Sequence, residues 1–147
     1  MKIAIGADHG GFKLKETLKK FLKEKRYSVK DFGVFSEEAC DYPPIGYEVS
    51  RSVGKGRFQR GILICKTGIG MSMVANKVKG IRAALCDRTD IARSSREHND
   101  ANILVFAANI TSPVKAKKIV SVWLRARALG GRHRRRVSQI KSIDRKM

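Results

Sequence analysis

From Gly61 to Ser72 the chain reads Gly-Ile-Leu-Ile-Cys-Lys-Thr-Gly-Ile-Gly-Met-Ser. A short apolar run ends in a thiol, then turns through two glycines into a segment of helical spacing. Such an order describes a buried strand that delivers Cys65 to the mouth of an anion-binding loop. Gly68 and Gly70 let the backbone pass close to a ligand. The amides from Ile69 to Ser72 are then expected as the unpaired donors of a helix N-terminus, where negative charge is favoured. A thiol beside preorganised N–H groups suits a substrate that develops negative charge during reaction. The same residues also fit an ordinary strand-to-helix turn around a buried cysteine. A P-loop is excluded, because G-x-x-x-x-G-K-[ST] is absent, and Met73 stands where a dinucleotide fingerprint needs its third glycine.

Four further clusters carry possible chemistry. Asp8-His9-Gly10-Gly11 follows the first apolar run, so Asp8 is either a helix cap or, beside Cys65, a proton shuttle. His9 is a candidate anion or hydroxyl ligand. His98-Asn99-Asp100 closes a helical stretch, where a histidine serves either the helix dipole or a site. Asp41-Tyr42-Pro43 reads as a turn, with Tyr42 a candidate pocket wall. Arg132 and Arg136 are four apart, so on a helix they share a face and could fork onto one phosphate. The alternative is a solvated or nucleic-acid-binding basic tail, to which Arg134 and Arg135 belong in either case.

The elements that must position these groups follow from periodicity. Strands are expected at 2–6, 27–32, 60–65, 81–86 and 102–106, and helices at 12–25, 45–54, 71–78, 89–97 and 112–128. A basic C-terminal helix is expected from about 132. Ser112 and Pro113 suit the N-cap and first position of the fifth helix, and Gly130-Gly131 reads as a stop before the tail. Alternating strands and helices imply one domain over residues 1–147. The fold class is a three-layer α/β/α sandwich with a five-stranded parallel sheet, Rossmann-like in its winding. In such sheets ligands bind beyond the carboxyl ends of the strands.

Composition narrows the classes further. No apolar run approaches the ~18 residues of a membrane span, and the chain opens on a strand rather than a signal-peptide core. Cys40, Cys65 and Cys86 are odd in number and form no C-x-x-C pair, which argues against disulfides or zinc and for the cytoplasm. No cofactor and no metal are expected. The net charge of +19 attracts anions from RNA to phosphorylated metabolites. The lysines of the first helix, Lys13, Lys15, Lys19, Lys20, Lys23 and Lys25, are expected to face water.

Taken together, G-A-D-H-G-G-F, D-Y-P, I-C-K-T-G-I-G-M-S, S-R-E-H-N-D-A-N-I-L and G-G-R-H, in that order, resemble the ribose-5-phosphate isomerase B family. That family also includes allose-6-phosphate and galactose-6-phosphate isomerases. The resemblance covers nearly the whole chain. It implies a metal-free aldose–ketose isomerase that works through a cis-enediolate on a phosphosugar. Cys65 would move the proton between C1 and C2, while Thr67 and the amides of Gly68, Ile69 and Gly70 hold the enediolate oxygen. Asp8 would shuttle protons, His98 would open the furanose ring and Asn99 would help bind the sugar. His9, Arg132 and Arg136 would grip the phosphate. The family builds its site across a dimer interface, so a homodimer or dimer of dimers is implied. Cys65 with G-G-R-H favours the ribose 5-phosphate branch. Two departures touch the substrate-binding set, which also takes in Ser72. Lys66 stands where the family usually has Gly, and Asn109 where it usually has Arg. The rival from another class is a basic nucleic-acid-binding protein that has kept an isomerase-like fold, against which stand few aromatics and no visible binding motif.

Overall fold

The computed structural model describes residues 1–147. Five parallel strands form one sheet: β1 (Lys2–Ala7), β2 (Ser28–Asp31), β3 (Arg60–Cys65), β4 (Ala83–Leu85) and β5 (Ile103–Ala107). Six helices surround it: α1 (Phe12–Glu24), α2 (Pro43–Gly54), α3 (Ile69–Asn76), α4 (Thr89–Asn99), α5 (Pro113–Arg125) and α6 (Arg132–Asp144). The strand order is β2-β1-β3-β5-β4. The chain leaves β1 in one direction for β2 and then crosses to β3 on its other flank. The winding therefore reverses between β1 and β3, and a crevice opens beyond their carboxyl ends.

Alternation along the strands divides the core in two. Ile3, Ile5, Ile62, Ile64, Leu104 and Phe106 pack against α1, α4 and α5, with Trp123 wholly buried among them. Ala4, Leu63, Cys65, Ile103 and Val105 face the other way, onto Val49 and Val53 of α2 and Met71 and Ala75 of α3. Cys65 thus points toward the helix that its own loop begins.

The expected elements are present, with shifts explained by local chemistry. Helix α2 starts at Pro43, two residues before the expected start, because proline at the first helical position costs no hydrogen bond. Helix α3 starts at Ile69, immediately after Gly68 in the left-handed region at φ +73°. Ser112 caps α5, its hydroxyl accepting from the Lys115 amide at 3.2 Å. That helix stops at Arg125 rather than 128, and 126–131 is an extended connection ending at Gly131, φ +63°. Strand β4 is only three residues long, at the sheet edge.

One expectation about charge is overturned. Lys15 does not face water: its side chain is fully buried between the Phe12 and Phe35 rings, with Nζ bonded to Asp31 at the end of β2. Lys19 reaches the same carboxylate at 2.8 Å and Glu16 at 2.7 Å. Burial pushes the Asp31 carboxyl up, but hydrogen bonds from Lys15, Lys19 and the Gly33 amide outweigh it and leave it below the usual range. Asp31→Asn leaves the buried Lys15 ammonium with only the more exposed Glu16 carboxylate, at 3.3 Å, and should cost about 3 kcal/mol in a denaturant melt at neutral pH. Because the folded-state pKa is depressed, the wild-type advantage should be full above the ordinary carboxylate range. It should shrink as the pH falls through the depressed value.

Candidate active site

The crevice beyond β1 and β3 gathers the first group of candidates. Asp8 follows β1, and its amide donates to the Ile64 carbonyl at 3.2 Å, which ties the two strand ends together. Its Oδ1 accepts from the Gly11 amide at 3.1 Å, capping a short 3₁₀ turn, His9–Gly11. The capping role is therefore real, yet it uses one oxygen. Oδ2 has no partner within the chain.

Cys65 ends β3, almost fully buried, with Sγ 3.2 Å from the Gly68 amide that donates to it. That bond fixes the sulfur at the mouth of the loop. The loop amides are allotted differently from the sequence expectation. Gly68 N–H serves Cys65, Ile69 N–H donates to Thr67 Oγ1 at 3.3 Å, and Ser72 N–H already bonds the Gly68 carbonyl at 3.0 Å. Among the amides from Gly68 to Ser72, those left for a ligand are Gly70 and Met71, beside the Thr67 hydroxyl proton. Because Gly68 must adopt φ +73° to present its amide to the thiol, a turn of only three residues consumes donors that a regular helix start leaves free.

Tyr42 lies over this helix start. A Cβ at position 70 would sit 2.5 Å from the Tyr42 hydroxyl, so glycine there is what admits the ring. Lys66 lays its methylenes across Gly10, within 2.6 Å of where a Cβ would be, and its carbonyl accepts from the Asn109 amide at 3.0 Å. His9 is half-buried, and its Nδ1 accepts from the Cys40 amide at 3.2 Å. An accepting Nδ1 leaves the proton on Nε2, so neutral His9 presents a donor. Nothing in the local sequence signals this pairing, since His9 and Cys40 are 31 residues apart.

His98, Asn99, Arg132 and Arg136 are elsewhere. Helix α4 runs back against the strands and leads into β5 at Ile103, whereas Cys65 pairs with Ala107 at its other end. The length of β5, about 17 Å, separates the two groups. His98 stacks instead on His133, ring centroids 4.2 Å apart and planes 5° from parallel. His133 was not among the sequence candidates. Helix α6 lies along this amino edge, with the Leu129 amide bonded to the Glu97 carbonyl at 2.9 Å just before it. The candidate residues thus fall into two groups on opposite edges of the sheet.

The other two thiols are not equivalent to Cys65. Burial pushes Cys86 up to about 11, against a weaker opposing contribution from Ser95, so it stays protonated. Cys40 is partly exposed, with Sγ 3.9 Å from His9 Nδ1. No three His, Cys, Asp or Glu side chains are grouped to hold a metal ion, and no helix is long and apolar enough to cross a membrane.

Both the sequence and the fold match known proteins. The sequence model of the Ribose/Galactose Isomerase family matches residues 3–140. The chain belongs to this family. It is 45% identical to ribose-5-phosphate isomerase B of Escherichia coli over 143 residues, covering 97% of this chain and 96% of that one. Among solved structures, ribose-5-phosphate isomerase B of Clostridium thermocellum superposes with a TM-score of 0.97 at 50% identity, covering 99% of both chains. The Mycoplasma genitalium enzyme, solved with bound ribulose 5-phosphate, gives 0.95 at 37% identity, covering 99% of this chain and 97% of that one. The superposition with the Clostridium thermocellum structure covers nearly the whole chain and so takes in most of α6.

The pair makes a titration prediction. Desolvation, then the nearby charges of His98, Arg132 and Arg136, hold the His133 pKa below its ordinary 6.5. An NMR titration should place its midpoint below that value, and Arg136→Ala should move the midpoint upward. An unchanged midpoint would mean that Arg136 does not face the pair.

Proposed function

We propose that this chain is an aldose–ketose isomerase acting on ribose 5-phosphate and ribulose 5-phosphate through a cis-enediolate. The observation that carries the reading is the Cys65 thiol held by the Gly68 amide, beside two unpaired amides and the free oxygen of Asp8. Full-length similarity to ribose-5-phosphate isomerase B from several sources supports the substrate.

The steps follow from these groups. Cys65 as thiolate takes the proton from C2 of the open-chain aldose, and the electron pair forms the C1–C2 double bond while O1 gains negative charge. The amides of Gly70 and Met71 and the Thr67 hydroxyl stabilise that charge, each well-placed donor contributing roughly 3 kcal/mol in the transition state. The Oδ2 of Asp8 carries a proton from O2 to O1. Cys65 then returns its proton to C1, giving the ketose and restoring the thiolate. His9, donating through Nε2, lies at the end of the crevice suited to the phosphate, with Lys66 on its other side across Gly10. Tyr42 walls the crevice.

The remaining groups come from a second copy. His98 opens the sugar ring, Asn99 binds it, and Arg132 and Arg136 grip the phosphate of the site on the neighbouring chain. Two facts favour this arrangement over a single-chain site. The half-sites lie on opposite sheet edges, and the crevice is rimmed by exposed apolar side chains, Ile69 and Met73, at 52% and 63% exposure.

Cys65→Ala should lower kcat at least ~10²-fold in a coupled assay with ribose 5-phosphate, while Cys86→Ala changes little. Near-normal turnover by Cys65→Ala would remove the thiol from the mechanism. Turnover of allose 6-phosphate in preference to ribose 5-phosphate would reassign the substrate within the family.

A mixing experiment tests the shared site. Cys65→Ala and Arg136→Ala chains, each nearly inactive alone, should regain activity when refolded together. In a mixed dimer one site holds both defects and the other neither, so recovery should approach roughly one quarter of wild type. No recovery would mean that each chain serves its own site.

A further inference from the structure

At the amino edge of the sheet, away from the Cys65 crevice, lies a concave cavity of about 890 Å³. It is walled by the trailing ends of three helices. Lys55 follows α2, Lys77 and Lys79 follow α3, and Lys141 and Arg145 come from the end of α6. None of these five cations has a carboxylate within 4.0 Å. Two more at the wall are already paired, Arg51 with Glu48 at 3.7 Å and Arg82 with Asp100 at 3.4 Å. The one acid in the wall is Asp144, whose Oδ2 accepts from the Gly80 amide at 3.0 Å and so joins α6 to the turn after α3.

Lysines at helix C-termini ordinarily offset the negative end of the dipole, so the count has to exceed that demand before a ligand is implied. Each helix C-terminus carries about half a negative charge. Three of them together with Asp144 leave an excess of roughly two to three positive charges in one cavity. Like charges held this close repel, and a concave wall concentrates their field. We propose that the cavity is a binding site for a small molecule carrying two or three linked phosphates, such as a nucleoside di- or triphosphate or inorganic polyphosphate. The volume fits one such molecule, being within the ordinary range for small-ligand sites. Tyr47, half-exposed at the rim, offers a ring on which a base could stack. The bound anion would bridge α3, whose first turn holds the Gly70 amide, and α6, whose first turn holds Arg132.

The test measures binding and not turnover. Titration calorimetry with tripolyphosphate, ATP and inorganic phosphate, at near-physiological salt and with saturating ribose 5-phosphate present, should show one site per chain for the first two. Inorganic phosphate should bind at least ~10-fold more weakly, and tripolyphosphate at a hundred times its Kd should raise Tm by about 5–10 °C. Lys77→Gln/Lys79→Gln/Lys141→Gln should weaken tripolyphosphate about ten- to a hundredfold while leaving kcat unchanged. A second triple variant, Lys20→Gln/Lys23→Gln/Lys118→Gln, removes the same charge from exposed positions elsewhere and should bind as wild type does. ATP binding more tightly than tripolyphosphate assigns the site to nucleotides, and equal binding assigns it to the phosphates alone. Equal losses in the two triple variants would reduce the site to diffuse surface charge and overturn the proposal. Displacement by ribose 5-phosphate, or binding of single-stranded RNA where tripolyphosphate does not bind, would overturn it as well.

Discussion

Every strand of the sheet runs the same way, so each helix that returns the chain must finish beside the start of the next strand. This directionality gives the molecule two unlike edges. At the carboxyl edge helices begin, backbone N–H groups point outward and the partial charge is positive. At the amino edge helices end, carbonyls point outward and the charge is negative. A loop that must stabilise an oxyanion belongs at the first edge, and Cys65, Thr67, Gly70 and Asp8 are all there. Basic side chains that offset helix ends belong at the second, and Lys55, Lys77 and Arg145 are there.

The edges also explain how the charge of +19 is distributed without unfolding the chain. The two buried cations are balanced: Lys15 shares Asp31 with the partly buried Lys19, and Arg96 bonds Asp100 at 2.7 Å and the Ala101 carbonyl at 2.7 Å. Most of the remaining cations lie on the surface, where solvent screens them. Asp31 holds more than a pair of lysines. It also accepts from the Gly33 amide at 2.8 Å, and the Gly33 carbonyl accepts from Ala7 at 2.8 Å, so the same carboxylate steadies the backbone just before Asp8.

Much of this was legible in the residues. Apolar runs and their spacing place all five strands, the turn into α3 and the cap at Ser112, because these depend on neighbours in sequence. What depends on distant neighbours was not legible. Lys15 lies beside the apolar stripe of α1 and looks like its exposed companions until Asp31, Phe12 and Phe35 close around it. The His98–His133 stack and the Cys40–His9 bond join segments more than thirty residues apart. The donors at the loop were misallotted for a subtler reason. Counting free amides assumes a helix start at Met71, whereas α3 starts at Ile69, so the Ser72 amide already makes the first helical bond, to Gly68. The resemblance assigned His98 and Arg132 to the same site as Cys65, which holds only when the site is completed by a second chain.

The shared site proposed above would bring mass action into the chemistry. A site completed within one chain has the same turnover per molecule at any concentration. One completed by a neighbour loses turnover on dilution below the dissociation constant of the pair, and regains it at a rate second order in protein. Under that arrangement the cellular abundance of the chain would set how much of it works, and a defective copy would silence part of its intact neighbour.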